Sequence, residues 1–358
     1  MKVVSVVGAR PEFIQAAPMS RAIRARHQEV LVHTGQHYDY EMSEVFFQQL
    51  GLPEPDHNLG VGSGSHARQT GEMLSRMEAV LVSEKPDWVI VRGDTNSTLA
   101  GALAAAKLCI PVAHVEAGLR SFNASMAEEI NRVATDHISD ILFCPTPAAM
   151  KNLGREGLVD RAQLVGDVMY EAILHNLKLA EQQSDVLARL SLRPKGYLLT
   201  TVHRAENSDN PQRLGAIVDA LNSIQEPIVF PVHPRTQAAL KQGGHTLGKH
   251  IQAVPPVGYF DMLVLQRNAR LVLTDSGGMQ KEAYCLGTPC ITMRDETEWV
   301  ETVEAGWNTL VGADPGAILD AVLHFQAPLE RPSLYGDGKT SLHIVDALER
   351  YVPTQALS

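Results

Sequence analysis

The sequence predicts an α/β protein built from two sets of parallel strands. Short apolar runs rich in β-branched residues alternate along the whole chain with amphipathic, helix-like segments. This alternation is typical of βαβ units with right-handed crossovers. The apolar runs lack a polar–apolar alternation, as expected for strands that are covered on both faces. A chain of 358 residues is also long enough for two domains.

The predicted strands fall into two series. The first series comprises residues 3–7, 30–33, 88–92, 111–115, 141–144 and 163–165. The second comprises residues 197–201, 228–232, 251–254, 271–275 and 290–293. Amphipathic segments at 95–108, 210–224 and 315–325 are predicted helices between strands. We therefore predict two Rossmann-like domains facing a cleft, formed by residues 1–166 and 167–340, with a C-terminal helix over 341–358 packing back on the first domain.

Composition and charge exclude several classes of function. The net charge of −10 argues against nucleic acid and against an acidic membrane surface as partners. The apolar run at residues 3–7 is too short for a signal sequence, and no stretch approaches the length of a membrane span. The four cysteines, in apolar surroundings and without a CxxC pair, are predicted to be buried free thiols, which suits a reducing cytoplasm.

Common cofactor and metal motifs are missing from the sequence. It contains no GxxxxGK, DxD, HExxH or GxGxxG pattern. Their absence argues against an ATPase, a metal-dependent glycosyltransferase, a zinc hydrolase and an NAD-dependent dehydrogenase, respectively.

A glycine-rich turn in the second half predicts an anion site. The apolar run at 271–275 leads into Ser276, Gly277 and Gly278, and a helix-like stretch follows. Two glycines at a helix start let backbone N–H groups approach an anion, and the helix dipole favours negative charge there. One turn later, Glu282 would be placed to accept two vicinal hydroxyls, as from a ribose. The alternative is an ordinary strand–turn–helix unit.

Polar side chains follow several of the predicted strands. Ligands of parallel sheets bind beyond the carboxyl ends of the strands, and the residues found there are Arg10, Asp94, Glu116, His203, His233 and Ser276. Each has an alternative structural role, since Asp94 would cap a helix starting at Thr95, Arg10 would pair with Glu12, and His203 would be a core histidine. Together, the carboxylates of the first half and the histidines of the second suit a substrate with a reacting end and an anionic end.

A further carboxylate opens a predicted helix. Glu128 and Arg132 are four residues apart and share one helix face. They form either a surface ion pair or a functional pair in which Arg132 sets the position and charge state of Glu128.

With these residues, the chain resembles the non-hydrolysing UDP-N-acetylglucosamine 2-epimerases. The matching segments follow the family order and are residues 8–12 (GARPE), 93–99 (GDTNSTL), 114–120 (HVEAGLR), 128–132 (EEINR), 203–207 (HRAEN) and 274–283 (TDSGGMQKEA). The resemblance implies the fold of the GT-B glycosyltransferases, a homodimer, and a reaction that needs neither metal nor cofactor.

The resemblance also implies a reaction and a role for each residue. The reaction interconverts UDP-N-acetylglucosamine (UDP-GlcNAc) and UDP-N-acetylmannosamine (UDP-ManNAc) by elimination of UDP to a 2-acetamidoglucal and its re-addition. Asp94, Glu116 and Glu128 match the catalytic carboxylates, and their assignment to the two faces of the sugar stays open. The departing UDP would be stabilised by Arg10, His203 and the backbone amides of Ser276, Gly277 and Gly278, the ribose would be held by Glu282, and Arg132 and His233 would contact substrate.

Two segments depart from the family pattern. The family commonly has a lysine where this chain has Gln15. Many bacterial members bind a second UDP-GlcNAc as an activator beside a stretch that here reads QHYDYEM, at residues 36–42. These departures leave the exact substrate and allosteric activation open.

Three alternative functions compete with UDP-GlcNAc epimerisation. The first is epimerisation of UDP-2,3-diacetamido-2,3-dideoxyglucuronate within the same family, because residues 143–146 and 293–299 resemble that subgroup as closely. The second is a GT-B glycosyltransferase, which would also need an acceptor site. The third is a catalytically silent UDP-sugar sensor, against which Asp94, Glu116 and Glu128 argue.

Overall fold

A computed structural model, described for residues 1–36 and 50–351, divides the chain into two compact units. The first unit comprises Met1–Ala172 and Ser333–Ser358, and the second comprises Ile173–Pro332. Each has its own parallel sheet flanked by helices, so the predicted two-domain α/β class is confirmed. The predicted cleft and the predicted domain boundaries stay predictions.

The first unit is built on a sheet of seven strands within the described residues. They are β1 (Lys2–Val7), β2 (Gln28–His33), β3 (His57–Asn58), β4 (Trp88–Arg92), β5 (Val112–Val115), β6 (Ile141–Cys144) and β7 (Ala162–Leu164). All pairs are parallel, in the order β3-β2-β1-β4-β5-β6-β7. The strand order reverses between β1 and β4, and the loops leaving these two strands therefore flank the crevice where such sheets bind ligands.

Helices cover both faces of this sheet. They are Arg10–Arg24, His66–Glu84, Asn96–Lys107, Ala127–Ile138, Pro147–Arg155 and Thr340–Arg350, and Val168–Gln183 runs on into the second unit. Successive residues of a strand point to opposite faces, so Val3 joins one apolar cluster and Val4 and Val6 join the other. Both faces are therefore buried, which explains why the strands read as continuous apolar runs.

The last helix, Thr340–Arg350, packs on the first unit. Its Ile344 and Leu348 share an apolar cluster with Val3 of β1. At its start, Ser341 donates from N and Oγ to Glu171, at 2.7 and 2.6 Å. Residues 352–358 of the predicted C-terminal helix lie outside the described residues.

The second unit repeats the same topology with six strands in its described residues. They are β8 (Leu198–Thr201), β9 (Ile228–Pro231), β10 (Ile251–Val254), β11 (Leu271–Thr274), β12 (Cys290–Thr292) and β13 (Asn308–Leu310), in the order β10-β9-β8-β11-β12-β13. Its helices are Val186–Arg189, Ala205–Ser208, Pro211–Ser223, Pro234–Gln242, Tyr259–Asn268, Gly277–Leu286, Val300–Glu304 and Pro315–His324. Here the strand order reverses between β8 and β11, so the loops after these strands flank the corresponding crevice.

Most sequence-based element predictions agree with the structure. Every predicted strand occurs, with ends within two residues of the prediction, and the helices at 95–108, 210–224 and 315–325 also occur. The short edge strands β3 and β13 were not predicted, because neither has an apolar run. The prediction of four buried thiols is wrong for Cys109, which is exposed just beyond the end of the helix Asn96–Lys107. In the described part of the chain, no helix combines the length and apolarity needed to cross a membrane.

Candidate active site

Asp94 follows β4, and its neighbour Thr95 takes the capping position of the next helix. Thr95 caps the helix Asn96–Lys107, since its Oγ1 accepts from the N–H groups of Ser97 and Thr98 at 3.1 and 3.3 Å. The alternative in which Asp94 caps this helix is therefore wrong. The Asp94 carboxylate instead accepts a hydrogen bond from Nη2 of Arg132 at 2.5 Å, with about a third of its side chain (33%) exposed.

The charge state of Asp94 depends on its surroundings. Burial raises the pKa of Asp94 above its usual value, and the nearby Glu116 and Glu128 carboxylates add to this rise. The Arg132 guanidinium opposes it, both by its charge and by its hydrogen bond. Because the rise outweighs the opposing effect, Asp94 retains a proton at higher pH than an ordinary aspartate does.

Glu116 leaves β5 with an unusual backbone conformation. Its φ is +70°, in the left-handed region that side-chain-bearing residues rarely adopt. Oε2 of Glu116 accepts a hydrogen bond of 2.7 Å from Nε2 of the buried Gln15. The residue that replaces the family's lysine therefore contacts a predicted catalytic carboxylate directly, as a neutral donor.

A buried network supports the turns that carry Asp94 and Glu116. His114, within β5, contacts Oδ1 of Asp136 at 2.7 Å through Nδ1 and the carbonyl oxygen of Gly93 at 2.8 Å through Nε2. Oδ2 of Asp136 accepts from the N–H of Gly118 at 3.1 Å and pairs with Arg120 at 2.7 Å. This network ties the turn after β4 to the loop after β5, and so fixes the two carboxylates relative to each other.

Arg132 does not pair with Glu128, contrary to the prediction from their spacing. It pairs with Asp94, which follows β4, and with Glu129, three residues earlier on its own helix, at 3.1 Å. Glu129 in turn accepts from the N–H groups of Ser121 and Phe122, each at 2.9 Å. Although burial opposes it, these donors and Arg132 lower the pKa of Glu129. The Glu128 side chain is exposed, and no hydrogen bond or ion pair joins it to another described residue.

Arg10 is exposed at the first position of the helix after β1. The neighbouring Glu12 is buried, and its Oε2 accepts from the N–H groups of Gly8 and Ala9 at 2.6 and 2.8 Å. Its Oε1 accepts from the hydroxyl of Thr95 at 2.6 Å. Glu12 therefore joins the turn after β1 to the turn after β4.

In the second unit, Asp275 holds together the loops after β8 and β11, between which the strand order reverses. It accepts from the backbone N–H groups of His203 and Arg204 at 3.1 and 3.0 Å, and from the side-chain amide of Asn207 at 3.2 Å. Nδ1 of His203 lies 3.3 Å from Oδ1 of Asp275. Although burial opposes it, His203 and these backbone donors lower the pKa of Asp275. The ionised carboxylate orients the His203 ring, so its Nε2 is left for a ligand.

The predicted anion site has the expected helix start. Ser276 caps the helix Gly277–Leu286, with Met279 N donating to its Oγ at 3.4 Å. Glu282 lies one turn later and accepts from Nε2 of the buried Gln266 at 2.7 Å. Gln266 thus orients Glu282, the residue that is predicted to hold the ribose.

His233 lies near His203 in the same unit. It caps the helix Pro234–Gln242, with Nδ1 accepting from the N–H of Arg235 at 3.2 Å. The ring centroids of His233 and His203 are 6.0 Å apart. Burial, together with the charges of His203 and Arg235, lowers the pKa of His233. The neutral ring is therefore favoured, with Nε2–H as its remaining donor.

The structure thus brings five of the predicted residues into two clusters. Asp94, Glu116 and Arg132 meet in the first unit, and His203 and His233 meet in the second. In the described part of the chain, no group of three or more His, Cys, Asp or Glu side chains is arranged to hold a metal ion. Of residues 36–42, which depart from the family's activator pattern, only Gln36 is described; its Oε1 accepts from Ser97 N and Oγ at 3.1 and 2.7 Å. Residues 37–42 lie outside the described residues.

Sequence reasoning missed the residues that support these clusters. Asp136 and Gln266 are ordinary members of helical segments in the sequence. For Asp136, a signal was available, since His114 and Arg120 are two potential partners in one motif. Nothing in the local sequence points to Gln266.

Comparisons with known proteins agree with this arrangement. A family model described as UDP-N-acetylglucosamine 2-epimerase matches residues 21–349. A Methanococcus maripaludis protein named UDP-N-acetylglucosamine 2-epimerase homolog is 51% identical over 356 residues, which cover 97% of this chain and 99% of that protein. A Pseudomonas aeruginosa UDP-2,3-diacetamido-2,3-dideoxy-D-glucuronate 2-epimerase is 48% identical over 360 residues, which cover 98% of this chain and 100% of that protein.

One solved structure is also similar to this chain, both in fold and in sequence. The crystal structure of Methanocaldococcus jannaschii UDP-GlcNAc 2-epimerase in complex with UDP-GlcNAc and UDP has a TM-score of 0.86 and 47% identity. The match covers 98% of this chain and 99% of that chain. On the extent of these matches, the chain belongs to the UDP-N-acetylglucosamine 2-epimerase family.

Proposed function

We propose that this protein interconverts UDP-GlcNAc and UDP-ManNAc by inversion at C2 of the sugar. The observation that carries the proposal is the pair of carboxylates, Asp94 and Glu116, which follow neighbouring strands and have different hydrogen-bond donors. Inversion needs a base on one face of C2 and an acid on the other. The similarity to the M. jannaschii enzyme, whose structure contains UDP-GlcNAc and UDP, supports the choice of substrate.

The chemistry proceeds in two balanced steps. A carboxylate removes the C2 proton, the electron pair forms the C1–C2 double bond, and the C1–O bond breaks with its pair leaving on UDP. A protonated carboxyl group then delivers a proton to the other face of C2 as UDP adds back at C1. The raised pKa of Asp94 supports the coexistence of a proton donor and a base in one cluster. Glu128 is the third carboxylate available for these transfers, and which one acts on which face stays open.

The nucleotide is proposed to be held by the second unit. The helix start at Ser276, Gly277 and Gly278 supplies backbone donors and a favourable dipole for the diphosphate. Glu282, oriented by Gln266, accepts the ribose hydroxyls. His203, oriented by Asp275, donates to the charge that develops on departing UDP. Arg10, Arg132 and His233 are proposed as further substrate contacts.

The proposal is tested by proton NMR of the purified protein with UDP-GlcNAc in deuterated buffer, without added metal, NAD or acceptor. Formation of UDP-ManNAc with deuterium at C2 is expected. Consumption of UDP-GlcNAc only in the presence of an acceptor would indicate a glycosyltransferase instead. Absence of both product and exchange would contradict UDP-GlcNAc epimerisation.

A second candidate substrate is UDP-2,3-diacetamido-2,3-dideoxyglucuronate. The observation in its favour is the 48% identity to the P. aeruginosa enzyme named for that substrate. The same NMR assay with this sugar nucleotide discriminates between the two. Faster deuterium incorporation than with UDP-GlcNAc would assign the uronate as the substrate.

We also propose that the protein acts as a homodimer in the cytoplasm. The homodimer rests on the resemblance to the family, and the cytoplasmic location rests on four free cysteines. Light scattering coupled to size-exclusion chromatography tests the first, with a dimer mass expected. Cell fractionation tests the second, and recovery in the membrane or secreted fraction would contradict it.

A further inference from the structure

A carboxylate already occupies the space beside the predicted phosphate site. Glu298 belongs to the loop after β12, and its Oε1 lies against Gly277, the first residue of the helix Gly277–Leu286. A Cβ atom at position 277 would be only 1.9 Å from this oxygen. The absence of a side chain at Gly277 leaves the space that this carboxylate occupies.

Two arginines accompany this carboxylate. Nη1 of Arg294 donates to Oε2 of Glu298 at 2.8 Å, and Arg294 is buried. Nη2 of Arg204 lies 3.7 Å from Oε1 of Glu298 and 3.6 Å from the Cβ position of Gly277. The Arg204 side chain is 41% exposed, so it can move, whereas Arg294 is held in place.

The position of Glu298 conflicts with a bound diphosphate. A helix start stabilises one nearby anion, but a diphosphate at the same place would face a like charge at short range. An exposed ion pair at 3.7 Å is weak, so exchanging one anion for another on Arg204 costs little. Binding is therefore easiest if Glu298 withdraws and Arg204 turns to the phosphates.

We propose that the Glu298 carboxylate takes the place of the diphosphate in the unliganded protein. It keeps Arg204 at this helix start until UDP binds and the diphosphate replaces the carboxylate. In this view Arg204 is a diphosphate ligand and Glu298 is a positioning residue that competes with the phosphates. The inference rests on the proposed nucleotide site.

The inference is tested by calorimetric titration of the full chain with UDP and, separately, with uridine, which lacks the diphosphate. Glu298→Gln removes the competing charge and is expected to tighten UDP binding on the order of fivefold. Arg204→Gln is expected to weaken UDP binding by about tenfold or more. Uridine binding should be unchanged in both variants, whereas a merely structural disturbance would change it too.

A matched control lies in the same loop. Glu296→Gln removes the same charge from an exposed carboxylate two residues away, and UDP binding should be unchanged. Equal effects of Glu296→Gln and Glu298→Gln on UDP binding would show that any negative charge lost from this loop has the same effect. That outcome would overturn the inference. Weaker or unchanged UDP binding in Glu298→Gln would also overturn it. A wild-type protein that does not bind UDP would instead contradict the proposed nucleotide site itself.

Discussion

Asp94 and Glu116 have different surroundings although they follow adjacent strands. Asp94 accepts from a guanidinium, and Glu116 accepts from the neutral amide of Gln15. Replacing either carboxylate by its amide keeps the size and removes the acid–base function. We expect Asp94→Asn and Glu116→Gln each to lower turnover by roughly a hundred- to ten-thousand-fold, while calorimetric UDP affinity stays within twofold or so. Near-normal turnover in either variant would remove that residue from the mechanism.

Gln15 provides a second prediction at the residue scale. Gln15→Met keeps a similar volume but leaves Oε2 of Glu116 without its 2.7 Å donor. We expect turnover to fall by roughly tenfold, with the KM for UDP-GlcNAc and the thermal midpoint little changed. Steady-state kinetics and a melting curve check this. An equal loss of stability and activity would make Gln15 a packing residue only.

The sequence located the candidate site residues better than it located their partners. Asp94, Glu116, His203 and Ser276 could be predicted because each follows an apolar strand. The pairing of Arg132 was predicted wrongly, because helical spacing describes neighbours within one helix, whereas Asp94 approaches from another element. Contacts between elements depend on tertiary packing, and local sequence carries little information on them.

At the scale of elements, the stability of the first site depends on one buried network. Asp136 of the helix Ala127–Ile138 contacts Nδ1 of His114 in β5 at 2.7 Å and pairs with Arg120 of the following loop at 2.7 Å. Although burial opposes it, His114 and Arg120 hold the pKa of Asp136 below its ordinary value of 3.8. The carboxylate is therefore charged in the folded protein at pH values where it takes up a proton in the unfolded chain.

This network predicts a specific acid sensitivity. A lowered folded-state pKa contributes stability above the unfolded value, and this contribution is lost as pH falls from about 3.8 through the folded-state pKa. Asp136→Asn should destabilise the first unit at pH 7 by roughly 1.5–3 kcal/mol, because it removes the buried charge that accepts from Arg120 and Gly118, whereas Arg120 keeps its pair with Glu156. It should also flatten the loss of stability below about pH 4. Calorimetric unfolding between pH 7 and 3 measures both effects, and a parallel decline in wild type and variant would contradict the assignment.

The strand predictions were accurate where a strand is buried on both faces, because such a strand has a continuous apolar sequence. Strands such as β4 and β6 were predicted to the residue because both faces are apolar. The edge strands β3 and β13 begin with His57 and Asn308, and only sheet pairing with a neighbour makes them strands. Such pairing is a property of the assembled sheet, so no local pattern predicts it.

At the scale of the whole molecule, the proposed reaction assigns different tasks to two units with the same topology. The first unit carries the proposed catalytic carboxylates after β4 and β5, and the second carries the proposed anion site after β11, at the reversal between β8 and β11. If both act on one UDP-sugar, a bound substrate must affect the exchange of backbone amides in both units.

Hydrogen exchange of the Asp94→Asn variant with UDP-GlcNAc tests this division, because impaired turnover keeps the substrate bound. We expect protection of the loops at residues 93–96 and 276–279, since bound groups restrict local opening. UDP alone should protect the second loop more than the first, because it lacks the sugar. Saturating UDP-GlcNAc that protects only residues 276–279 would show that the nucleotide site is correct and that the carboxylates of the first unit act elsewhere.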